Sequence, residues 1–142
     1  MKKLKSLSLV ILSLLIFSLP LCACGHKGNL DKIFKQSNYL VVMNGFQSSN
    51  LGFITDSDEI KSITKYFIGI DYVDTEETSV DGCVVAFHID NSLIARAVTE
   101  SDGTAFITVY LEDESEKLYK SDPGAINFSE LSKLLTYYQY LR

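Results

Sequence analysis

The chain has 142 residues, of which 13 are Lys or Arg and 18 are Asp or Glu, for a formal net charge of −5. Lys2, Lys3 and Lys5 stand at its start, so the part from Cys24 to Arg142 carries ten cations against the 18 carboxylates, a net charge of −8. That balance repels nucleic-acid phosphate and argues against a nucleic-acid partner, and the 119 residues from Cys24 onward suffice for one core but not for two.

After the three lysines comes an apolar stretch from Leu7 to Leu21, interrupted only by Ser8, Ser13, Ser18 and Pro20. It is shorter than the roughly 20 apolar residues that a membrane-spanning helix needs. A basic start, an apolar middle and a small-residue exit together read as a secretory signal peptide over residues 1–23.

The exit is "LCACG". Leu21-Cys22-Ala23-Cys24 resembles the lipobox of bacterial lipoproteins, with an aliphatic residue three positions before a cysteine and a small residue directly before it. The competing register, Leu19-Pro20-Leu21-Cys22, sets bulky Leu21 beside the cysteine and fits less well. The resemblance implies cleavage before Cys24, a diacylglyceryl group on its sulfur, and attachment to the outer face of the cell membrane, as in small surface lipoproteins of the Gram-positive type. Two acyl chains on one residue hold a protein at a bilayer stably, where one chain is marginal. Cys22 then leaves with the signal, and Cys83 remains as a thiol without a mature intramolecular partner.

Residues 24–38 are polar and read as a tether with a helical turn over Leu30–Phe34, which sets a single domain at 39–142. Tyr39–Met43 and Leu51–Thr55 suit two strands bounded by turn residues. The stretch "DSDEIKSITKYFIGI" changes period: Asp56 and Glu59 form a capping-box pair, and Ile60, Ile63, Phe67 and Ile70 recur at helical spacing as far as Gly69.

An acidic loop follows over Asp71–Asp81, lacking the ligand order and central glycine of an EF-hand. Three strands are then predicted at Cys83–Asp90, Leu93–Glu100 and Thr104–Leu111, joined by "DNS" and "SDG" turns, with a fourth at Lys117–Ser121. A last helix starts after Asn127 and presents Phe128, Leu131, Leu134, Leu135, Tyr138 and Leu141 on one side.

The order β-β-α-β4-α predicts an α+β fold, an antiparallel sheet with two helices packed on one face. It is similar to the TATA-binding-protein-like and β-lactamase-inhibitor-like architectures. That likeness is one of element order alone, and fold likeness does not transfer function.

Alternation along the strands sorts the chemically active side chains. Cys83 and His88 are five residues apart and project from opposite faces, so they cannot act as a nucleophile and its base. His88 is the only histidine after His26, and no nucleophile elbow, phosphate loop or zinc-type spacing occurs. The reading is therefore of a protein that is no enzyme and has no cofactor or metal. The core face is expected to carry Cys83, Val85, Phe87, Ile89, Leu93, Ala95, Ala97, Ala105, Ile107, Val109 and Leu111. The opposite face then shows Val84, His88, Ile94, Arg96, Val98, Phe106, Thr108, Tyr110 and Tyr119.

Aromatic and arginine side chains are enriched at protein interfaces. His88, Arg96, Phe106 and Tyr110 are accordingly the expected contacts for a protein or small-molecule partner. The functional expectation is a membrane-anchored, non-catalytic binding domain. The alternative is an inhibitor or immunity-type protein that blocks an exported enzyme or toxin.

Overall fold

The computed structural model describes residues 27–45 and 50–141, so the signal segment, Cys24 and His26 lie outside the described residues. The elements in chain order are α1 (Lys27–Gln36), β1 (Tyr39–Asn44), β2 (Gly52–Ile54), α2 (Ser57–Thr64), β3 (Tyr72–Asp74), β4 (Cys83–Ile89), β5 (Ser92–Thr99), β6 (Ala105–Tyr110), β7 (Glu116–Ser121) and α3 (Phe128–Tyr140). The seven strands form one antiparallel open sheet in the order β2-β1-β4-β5-β6-β7-β3.

The α+β class and the central four-strand meander agree with the pattern of the sequence. Local chemistry accounts for both helix starts that were read from it. The Asp56 carboxylate accepts from the backbone amides of Asp58 and Glu59, each at 3.0 Å, and Asn127 accepts from the Glu130 amide at 3.2 Å. α2 is shorter than its apolar spacing suggests. It ends at Thr64, and Tyr66 and Phe67 continue in turns whose amides bond only three residues back.

Two expectations are corrected. Three helices, not two, share the core with the sheet. Where the polar stretch promised only a helical turn, Lys27–Gln36 is a full helix that buries Leu30 and Phe34 completely. Phe34 meets Phe67 and Phe87, with ring centroids 5.8 and 4.8 Å away. In addition, the start of the acidic loop is a strand. β3 pairs with β7 through Tyr72↔Ser121, and the buried Tyr72 hydroxyl donates to the Phe67 carbonyl at 3.0 Å. Both outer strands, β2 and β3, are only three residues long, which limits the unpaired backbone that an open sheet offers to other chains.

The core lies between the helices and one sheet face, with rows that run Leu40–Phe87–Ala95–Val109 and Val42–Val85–Ala97–Ile107–Tyr119. Tyr119 therefore belongs to the core face and not to the opposite one, because its pairing with Ile107 sets its side. A bulge at Phe87/His88 also exchanges two neighbours. His88 pairs with Leu93 while Phe87 pairs with Ala95, so Ile94 is the extra residue and packs against the core, and Leu93 is exposed.

Candidate functional site

The sheet face away from the helices carries the side chains that the sequence singled out. Pairing places Arg96 between Ala86 and Thr108, Phe106 between Val98 and Lys120, and Tyr110 opposite Glu116. His88 stands between Tyr39 of β1 and Leu93 of β5. All four are half-buried and share the face, yet none is the direct cross-strand partner of another. Arg96 occupies the middle of the face, with Phe106 one row toward the Thr99 end of β5 and Tyr110 on the other side.

The face is wider than strands β4–β7. β1 lies beside β4, and it adds Tyr39, Val41 and Met43 to the same side, while β2 adds Phe53 opposite Val41. Tyr39 connects the set: its ring lies 5.2 Å from that of His88 and 6.3 Å from that of Phe53, stacked at 10° on the latter. Phe53 is 56% exposed. Sequence reasoning missed these residues because the neighbour of β4 on this side is not readable from the chain; the alternation of Tyr39, Val41 and Met43 was the available signal.

Two polar atoms here have no hydrogen-bond partner among the described residues, namely His88 Nδ1 and Arg96 Nε, and both are shielded from solvent. At the other end of the face the acidic loop reaches back over it: Glu77 forms an ion pair with Lys120 at 2.8 Å. Val84, Val98 and Thr108 are buried on this side, and its exposed apolar side chains stand toward the edges and the β4–β5 turn, at Phe53 of β2, Val73 of β3 and Leu93 of β5.

Cys83 lies on the opposite, helix-covered face, where its thiol donates to Asn44 Oδ1 at 3.2 Å. Burial pushes the thiol up to about 11, partly offset by the Ser132 hydroxyl, so it stays protonated and unreactive at neutral pH. The Cys83–His88 separation across the sheet that alternation predicts is thus observed. Among the described residues no group of three His, Cys, Asp or Glu is arranged to hold a metal ion, and no helix is long and apolar enough to cross a membrane.

In comparisons with known proteins, no family model matches the chain, and no curated protein or solved structure matches it significantly.

Proposed function

We propose that this protein is a lipoprotein held by Cys24 on the outer face of the cell membrane, and that its folded part is a non-catalytic binding module. The observation that carries the binding reading is the helix-free sheet face. It carries Tyr39, Phe53, His88, Phe106 and Tyr110 together with Arg96, whose guanidinium Nε has no hydrogen-bond partner among the described residues. Aromatic rings with an arginine are the composition of interface centres. The anchoring reading rests on the resemblance of Leu21-Cys22-Ala23-Cys24 to a lipobox.

Two experiments test this reading. Metabolic labelling with palmitate is expected to mark the wild-type chain and the Cys22→Ser variant but not Cys24→Ser; label retained in Cys24→Ser overturns the anchor. Capture of a partner from envelope extract is expected with the full chain and lost with Phe106→Ser/Tyr110→Ser. Undiminished capture by that variant overturns the sheet-face assignment.

The second reading, an inhibitor or immunity-type protein, draws support from the extent of this helix-free face, which runs across all seven strands and offers room for a protein surface. A TATA-binding-protein-like or β-lactamase-inhibitor-like arrangement is the finer architecture we propose with it. It requires one stoichiometric protein partner whose capture no small molecule displaces.

A further inference from the structure

On the helix side, away from the sheet face, α1 and α2 leave a groove of about 600 Å³ between them, within the range of pockets that hold small ligands. Its apolar lining is Ile60 and Ile68, with the fully buried Phe34 at its base. Its rim carries three lysines, Lys35 from the last turn of α1 and Lys61 and Lys65 from α2 and its end. No carboxylate is among its described lining residues. In a chain with ten cations against 18 carboxylates after residue 23, three cations around one apolar groove make a local reversal of sign. Lys61 touches Asp58 only at 3.7 Å in an exposed pair, too weak to neutralise it.

A second observation points to a ligand. Thr64 lines the groove and is 4% exposed, and its hydroxyl has no hydrogen-bond partner among the described residues. A helical threonine ordinarily bonds back to a carbonyl of the preceding turn, and a buried hydroxyl left unpaired is unfavourable. Threonine divides between two χ1 rotamers in helices, so a full change of rotamer, about 120° about χ1, is what would bring this shielded hydroxyl to an acceptor beside Lys61 and Lys65.

The groove is also long. Its α2 wall from Ser57 to Thr64 extends about 10 Å at 1.5 Å per residue, and Lys65 to Ile68 prolong it. Length, an apolar floor, a cationic rim and one unsatisfied hydroxyl match an extended apolar body with a single anionic oxygen head. We propose that this groove binds a free long-chain carboxylate, a fatty acid, with its chain along Ile60 and Ile68 and its head held by the lysine rim and Thr64. This goes beyond the sheet-face reading and does not depend on it.

The test uses the full chain and a diazirine-bearing palmitate as the probe. After illumination, adducts are expected on the groove between α1 and α2, displaced by excess palmitate but not by its uncharged methyl ester. The triple variant Lys35→Gln/Lys61→Gln/Lys65→Gln alters only exposed residues and is expected to retain the wild-type protease resistance while its labelling falls at least tenfold. Thr64→Val, which removes the unpaired hydroxyl, is expected to keep or raise stability while labelling falls about tenfold, the size of one lost hydrogen bond to a charged group. Adducts scattered over the surface, adducts confined to the sheet face, equal displacement by the methyl ester, or full labelling of the triple variant would each overturn the proposal.

Discussion

The ring of Phe34 in α1 and the ring of Phe87 in β4 lie with their centroids 4.8 Å apart at 42°, and Phe67 meets the same Phe87 edge-on at 5.5 Å. The helix before β1 is thus bound into the centre of the core by its own aromatic residue, and its neighbour Asp31 accepts from the Gly69 amide at 3.0 Å.

Phe34→Ala is expected to destabilise the fold by about 3–5 kcal/mol, since it empties a fully buried aromatic site. Urea unfolding checks this. A loss under about 1 kcal/mol would mean that α1 is a detachable tether and not a part of the core.

Asn44 ties β1 to α3. Its amide nitrogen donates to Ser132 Oγ at 2.9 Å and Thr136 Oγ1 at 2.6 Å, while its backbone amide donates to Gln139 Oε1 at 2.9 Å. Asn44→Ala leaves the backbone bond but removes the others, and with them the acceptor of the Cys83 thiol. The expected cost is about 1–3 kcal/mol, with hydrogen exchange in α3 rising more than in β6. Equal acceleration in both elements would refute the local role.

Alkaline pH is expected to destabilise the protein through Cys83. The thiol's ordinary value is 9.0 and the fold raises it to about 11. In that window the unfolded chain has released a proton that the folded chain retains, so stability falls as pH rises and is flat below it. Burial and then the nearby Asp31 carboxylate push the Tyr72 hydroxyl well above its usual range, which adds a loss of the same sign at higher pH. Urea midpoints measured at increasing pH should decline from about pH 9 in the wild type, and only from about pH 10 in Cys83→Ala. Identical profiles for the two would remove Cys83 from this account.

Arg96 is expected to matter for binding and not for folding. Its Nε lacks a partner among the described residues, so Arg96→Met should leave stability within about 0.5 kcal/mol of wild type or raise it. Partner capture by the same variant should weaken. A large loss of stability would show instead that Arg96 is a structural residue.

How much of this was readable without a structure depends on distance along the chain. The caps at Asp56 and Asn127 bond within three residues, and the β4-to-β7 meander closes through short turns, so residue type and spacing specify both. The same alternation sends Cys83 and His88 to opposite sides and puts His88, Arg96, Phe106 and Tyr110 on one face. Tertiary structure alone decided the rest. Tyr39 comes beside His88, and Tyr72 beside Ser121, each about 49 residues apart, through pairings that local propensity does not encode. The bulge that sends Ile94 inward and Leu93 outward lies in the pairing of β5 with β4, which alternation along β5 by itself does not reveal. Leu30 and Phe34 look like the apolar residues of a polar linker until the helix that carries them finds Phe67 and Phe87. Burial is a property of what the rest of the chain brings to a residue, and a single stretch of sequence does not contain it.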